Sequence, residues 1–151
     1  MQYRKFGKTG AQVSALGLGT MRLPLLDGDQ GSSSYGAEQV DVSASIACIR
    51  HAIDCGVNYI DTAYNYMGGN SEWVVGQALS GGQRQNIYLA TKSPVWLLAS
   101  AADFERVLCE QLEKLQTDYI DMYLLHSMNA STWEKALRFG LPEKLQTAKM
   151  R

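Results

Sequence analysis

Short apolar runs alternate with amphipathic stretches along this chain, and their order sets the expected architecture. Ile46, Ile49 and Ile53 recur at helical spacing between Asp41 and Cys55, and Gly56 follows where such a helix would stop. "VNYID" (57–61) then reads as a strand, "NSEWVVGQALSGG" (70–82) as a helix closed by glycines, and "IYLATK" (87–92) as a strand. "AADFERVLCEQLEKLQ" (101–116) has the pattern of an amphipathic helix, "YIDMYLLH" (119–126) that of a strand, and "ASTWEKALRFG" (130–140) starts another helix. Ahead of these, residues 2–14 predict a hairpin around Lys8-Thr9-Gly10. "LGLGT" (16–20) predicts a strand kept slim on one face by Gly17 and Gly19, and the Gly/Ser-rich piece from Asp27 to Gly36 predicts a loop.

The predicted strands end at Thr20, Asp61, Lys92 and His126, the last three about 30 residues apart with one helix in each interval. That is the length of a βαβ unit, which makes neighbouring strands parallel, and consecutive right-handed units build either an open doubly wound sheet or a barrel. A dinucleotide-binding open sheet would carry GxGxxG, whereas "GLGTMR" (17–22) has Arg22 where the third glycine belongs. The barrel is the better reading. Strand parity then places Val57, Tyr59 and Asp61 on one pleat face, with Tyr88, Ala90 and Lys92, and with Ile120, Met122, Leu124 and His126. Each mostly apolar strand ends in one ionisable residue. In a parallel barrel the carboxyl ends of the strands share one rim, where the active sites of that architecture lie, and Tyr66 on the next loop is within reach of it.

Composition narrows the partners. The 151 residues are 46% hydrophobic with a formal net charge of -1, enough for one domain with a sizeable core and without the basic footprint of a nucleic-acid or anionic-membrane binder. No apolar run approaches the roughly 20 residues of a membrane span, and "MQYRKFGKTG" lacks a secretory signal, so a cytoplasmic protein is expected. Cys48 and Cys55 share one predicted helix and Cys109 lies on another; the spacing fits neither a metal knuckle nor a redox pair, so reduced, structural thiols and no metal are expected.

Taken singly, the rim residues have ordinary readings. Asp61 would be a helix cap or turn former, Lys92 a solvated lysine, His126 a satisfied core histidine, and Tyr64 and Tyr66 loop packing. Matching positions in successive strands argue against all of these holding at once. The stretches "RKFGKTGAQVSALGLGTMRL", "GVNYIDTAYNYMGGNSEWVVGQAL", "IYLATK" and "LEKLQTDYIDMYLLH" resemble the amino-terminal half of the aldo-keto reductases. The likeness is closest to the bacterial and archaeal branch that often carries a ferredoxin-like segment at its far end. It implies an α/β fold, a partial (β/α)8 TIM barrel of about four βα units preceded by an N-terminal β-hairpin.

The resemblance also implies a catalytic set of Asp61, Tyr66, Lys92 and His126, and reversible hydride transfer between NADPH, with NADH the alternative, and a small-molecule aldehyde or ketone. Tyr66 would protonate the carbonyl oxygen. A free tyrosine, with a pKa of about 10, holds its proton tightly, so the Lys92 cation would ease its release. Asp61 would hold Lys92, because an unpaired buried charge is costly, and His126 would orient the substrate oxygen. Thr20, Met21 and Asp61 are expected at the nicotinamide, and Trp96 as an apolar wall for substrate.

Length sets the departure. A (β/α)8 barrel needs about 250 residues, and the run "EKLQTAKMR" (143–151) falls where the resemblance would continue into a fifth strand. Residues 1–151 are therefore expected to be the N-terminal half of such a barrel, with both outer strands open and the interior face uncovered. Self-association or pairing with a C-terminal half is expected. The alternatives to a reductase are a catalytically inactive half-barrel that binds a partner, or a nicotinamide-sensing module.

Overall fold

The computed structural model describes residues 1–26 and 39–149; the loop expected at Asp27–Gly36 lies outside the described residues. An antiparallel hairpin, β1 (Tyr3–Lys5) and β2 (Gln12–Ser14), precedes a sheet of four parallel strands in the order β3 (Leu18–Gly19), β4 (Tyr59–Asp61), β5 (Tyr88–Ser93) and β6 (Met122–Leu125). Helices α1 (Val42–Asp54), α2 (Ser71–Leu79) and α3 (Asp103–Leu115) form the successive crossovers. Strand order follows chain order, so each unit lies beside the one before it, as the βαβ spacing required.

Local chemistry explains the boundaries. The Asp41 carboxylate accepts from Ala44 N (2.9 Å) to cap α1, and Gly56, at φ +92°, turns the chain out of it. Three strands are shorter than the sequence pattern suggests. β3 stops at Gly19, and β4 begins at Tyr59, just after Asn58, whose side chain bonds the hairpin, its Oδ1 accepting from Ser14 N (2.7 Å) and its Nδ2 donating to Gln12 O (2.9 Å). β6 begins at Met122, because the Asp121 carboxylate substitutes for main chain: Oδ2 accepts from Leu89 N (2.9 Å) and pairs with Arg84 (2.8 Å).

The helix predicted to start at 130 is present, and the last stretch adds a helix that the sequence pattern did not announce. Helix α4 (Ala130–Arg138), capped by Asn129 and Thr132, ends at Gly140 (φ +64°), and a further helix, α5 (Leu141–Lys149), follows. Leu141 is fully buried and Leu145 packs on a cluster of Val95, Leu98, Phe104, Val107 and Ala136. That apolar contact, with Pro142 tolerated in the first helical turn, favours helix over an extended exit.

The sheet's two faces differ. On the side covered by α1–α3, Ile60, Leu89, Thr91 and Ser93 are fully buried. On the other, Tyr59, Tyr88 and Met122 are half-buried and Leu124 is 41% exposed. All-parallel sheets normally bury both faces. Cys48, Cys55 and Cys109 are free, as expected, but exposed on helix surfaces rather than packed in the core. Among the described residues no helix is long and apolar enough to cross a membrane, and no three metal-ligating side chains converge.

Helices α2 and α3 touch at Gly76, where an added Cβ would stand 2.5 Å from Lys114 O and 2.8 Å from Leu115 C. Both obstacles are main chain and cannot rotate away. Gly76→Ala is expected to cost about 1–3 kcal/mol in urea denaturation, and an unchanged midpoint would refute the close contact.

Candidate active site

β4, β5 and β6 deliver their carboxyl ends to one rim. Asp61 is level with Gly19 and Ala90, while Lys92 is level with Leu124, so Lys92 sits two residues farther along its strand than Asp61. That offset is about 6–7 Å, and the long lysine stem covers it. Small Ala90, fully buried on the same face, leaves the path open.

The ammonium that arrives has three protons and three acceptors. Lys92 Nζ donates to Asp61 Oδ1 (2.5 Å), to the main-chain oxygen of Thr62 (2.8 Å) and to the Tyr66 hydroxyl oxygen (3.2 Å). The lysine side chain is 13% exposed and Asp61 31%, so the pair is largely withdrawn from water. Because Tyr66 accepts from the ammonium, its own proton is free to point elsewhere.

Tyr66 is placed by an unusual loop. It opens a 3₁₀ turn (Tyr66–Gly69) in which Met67, Gly68 and Gly69 all have positive φ. Met67 is held at φ +54° although it is not glycine, and its side chain is fully buried in the main core, which anchors the turn. At the loop's far end Ser71 Oγ lies 2.8 Å from Thr20 Oγ1 and 2.9 Å from Thr62 Oγ1. Tyr64 faces away: its hydroxyl donates to Glu110 (3.0 Å) and its ring lies under Lys114 Nζ (4.2 Å). The two tyrosines therefore divide, Tyr66 toward the rim and Tyr64 onto α3.

His126 follows β6, its main-chain N donating to Ser93 O (3.0 Å), and its ring meets Tyr66 edge-on at 5.6 Å and Trp96 at 5.1 Å. Its Nδ1 is buried without a hydrogen-bond partner among the described residues, so the ring keeps bonding capacity in reserve. Burial lowers its pKa below the usual histidine value, with Lys92 adding to the effect and Asp61 opposing it. At neutral pH the imidazole is uncharged beside the ammonium.

The structure thus brings Asp61, Tyr66, Lys92, His126 and Trp96 together. Thr20 is beside them but turned inward: it is fully buried, and both its N (2.9 Å) and its Oγ1 (3.0 Å) donate to Asp61 O. Met21, the next residue, is half-buried at the rim. Sequence reasoning missed Thr62, whose carbonyl takes one ammonium proton, and Ser71. It also missed a buried polar group behind β5, Glu72, Thr91 and Gln111. One signal for Gln111 was present, a polar residue on the stripe Phe104, Val107, Gln111, Leu115.

A family model described as the aldo/keto reductase family matches residues 15–145. The chain belongs to this family. It is 38% identical over 134 residues to the aldo-keto reductase YhdN of Bacillus subtilis (strain 168), covering 83% of this chain and 38% of that protein. It is 33% identical over 120 residues to the methylglyoxal reductase YeaE of Escherichia coli (strain K12), covering 79% of this chain and 40% of that one. A Klebsiella pneumoniae aldo-keto reductase solved in complex with NADPH superposes with a TM-score of 0.68 at 35% identity, over 91% of this chain and 44% of the other. The chain therefore spans about two fifths of the length of these relatives. Its partial barrel is the aldo-keto reductase fold seen from its first four βα units.

His126 gives the rim a pH signature. The unfolded chain takes up a proton near pH 6.5, whereas the folded imidazole stays neutral to a lower pH. The folded state is fully favoured above about pH 6.5 and loses stability as pH falls from there toward the lowered folded value. Glu72, raised by burial, works in the opposite direction, so the comparison with His126→Gln is the readout. The urea midpoint is expected to drop more between pH 7.5 and 5.5 in the parent chain than in His126→Gln; equal drops would contradict the lowered value.

Proposed function

We propose that the chain is the N-terminal half of an NADPH-dependent aldo-keto reductase barrel and carries the proton-transfer set for reducing a small aldehyde or ketone. The observation that carries this reading is the Lys92 ammonium shared among Asp61, Thr62 O and the Tyr66 oxygen. Tyr66 holds the proton destined for the carbonyl oxygen. As it leaves, the ammonium stabilises the phenolate that forms, while Asp61 keeps the ammonium charged and in place. His126, neutral and with Nδ1 unpartnered, orients the carbonyl oxygen beside the tyrosine. Trp96, 36% exposed and edge-on to His126, walls the substrate side.

NADPH, or NADH in its place, supplies the hydride when bound. The described residues fit its nicotinamide end only: half-buried Met21 and the partly exposed Asp61 edge line the rim, and Thr20 contributes through Asp61. Among them no arginine or lysine other than Lys92 joins the hydrogen-bonded group at the rim, so the pyrophosphate has no cationic partner there. Holding cofactor and carbonyl in near-attack geometry accounts for roughly 7–11 kcal/mol of a barrier. That share depends on a complement to this half.

The half-exposed inner face favours a second reading beside the first, a half-barrel that pairs with another polypeptide or with itself. Steady-state assays with NADPH and a panel of aldehydes that includes methylglyoxal, with size read by light scattering, separate the two. Turnover by the chain alone is expected far below about 1 per second, with particles larger than a monomer. A monodisperse monomer at ordinary enzyme rates, inactivated by Tyr66→Phe, would overturn the need for a complement. Equal activity in Tyr66→Phe would overturn the role of Tyr66.

A further inference from the structure

Behind β5, on the helix-covered side of the sheet, a carboxylate lies where no water reaches. Glu72 is fully buried, and so are Thr91 and Gln111 beside it. Glu72 Oε1 accepts from Thr91 Oγ1 (2.6 Å) and from Gln111 Nε2 (2.6 Å). Gln111 Nε2 also reaches Thr91 Oγ1 (3.1 Å) and Lys92 O (3.2 Å), which share its second proton, while its Oε1 accepts from the Tyr123 hydroxyl (2.7 Å). Four elements meet in this group: α2 through Glu72, β5 through Thr91 and Lys92, α3 through Gln111 and β6 through Tyr123. The second oxygen, Oε2, has no hydrogen bond among the described residues, and Lys114 Nζ approaches it only to 3.8 Å.

A carboxylate in this position is costly, and a leucine or methionine would pack the same space without the penalty. The group makes sense through the Lys92 carbonyl. Ala90 O accepts from Thr62 N (2.9 Å), so by the two-residue alternation of the ladder Lys92 O faces the same neighbour. But β4 has ended at Asp61, and no strand continues there to donate. The Gln111 amide stands in for the missing strand donor. Glu72 and Tyr123 fix the amide's orientation, one accepting from its nitrogen and the other donating to its oxygen.

We propose that Glu72 is a positioning residue which, through Gln111, fixes the main chain of β5 at Lys92 and so the aim of the ammonium at Asp61 and Tyr66. The Lys92 side chain leaves the sheet on the opposite face, so a twist of the peptide at residue 92 swings the far end of a long stem. Without the Gln111 bond, the β4-facing side of that peptide has no partner, and only the β6 ladder, with Ser93 O accepting from His126 N (3.0 Å), holds it. The proposal rests on Lys92 being the ammonium that serves Tyr66, but its geometry is tested without turnover.

The test is competitive acetylation of the folded 151-residue chain with acetic anhydride, each lysine quantified by mass spectrometry. Lys92 is expected to be strongly protected relative to exposed Lys5 and Lys8. Glu72→Leu and Gln111→Met are each expected to raise the Lys92 rate about tenfold, the ratio that goes with losing one ordinary hydrogen bond, and to leave Lys5 and Lys8 unchanged. Ile49→Ala, a core deletion between α1 and the sheet, controls for general loosening and is expected to leave Lys92 protected at matched fractional stability. If Glu72→Leu does not fold, Gln111→Met and Tyr123→Phe still report on the same link. Protection of Lys92 unchanged in the folded variants, or lost equally in Ile49→Ala, would overturn the proposal. Absence of carbonyl reduction by the parent chain would leave it standing.

Discussion

An ammonium withdrawn from water is tolerable only when each of its protons meets an acceptor, and Lys92 meets that condition with little to spare. Its acceptors come from two neighbouring segments: the end of β4, which gives Asp61 and the Thr62 carbonyl, and the loop beyond, which gives the Tyr66 oxygen. The requirement fixes more than a salt bridge. β4 must stop at the level of Ala90 so that its last carboxylate and next carbonyl face a lysine two residues farther along β5. The loop must then turn back, and the left-handed run Met67–Gly69 is how it does so. Asp61 is itself held through its main chain by Thr20, which ties the first strand of the sheet to the charge pair.

A strand that stops early leaves an unfilled place in the ladder, and the consequence is carried to the far side of the sheet. Polar residues are rare at sites where helices pack on a parallel sheet, because their desolvation is seldom recovered. Here Gln111 and Glu72 occupy two such sites. Their cost is partly offset by bonding one another and the Lys92 carbonyl, and a directional network of this kind specifies one arrangement where an apolar contact would permit several. Early termination of β4 thus accounts for features on both faces: a three-acceptor cradle on the rim side and a buried amide–carboxylate pair on the helix side.

How far the sequence announced this depends on whether the signal was local. Period and spacing carried the four βα units, and the pleat parity of Asp61 and Lys92 is present in the parallel register, with His126 just past the end of β6. Boundaries were less legible, because Asn58 and Asp121 spend side chains on main-chain positions that alternation alone assigns to strands. The helix α5 was overlooked because its apolar residues, Leu141 and Leu145, make sense only against Phe104 and Val107, more than 30 residues earlier in the sequence. Thr62 could not be found from its side chain at all, since its carbonyl does the work. Tyr64 and Tyr66 are chemically alike in the sequence; only the turn between them decides which meets the ammonium and which meets Glu110.

The charge cradle and the barrel have different ranges, which explains how one is well formed while the other is partial. Every contact that orders the Lys92 ammonium joins residues at most 31 positions apart, on β4, the loop after it and β5, so two consecutive βα units suffice to build it. Closure of an eight-stranded barrel is a global property: among the described residues the outer edges of β3 and β6 are unpaired, and the side chains of Tyr59, Tyr88, Met122 and Leu124 on the inner face stay partly exposed. Under the proposed function, the reactive end of a nicotinamide cofactor would meet residues fixed locally, while its overall orientation would depend on the closed ring. The cradle is therefore complete within this stretch of chain, independently of barrel closure.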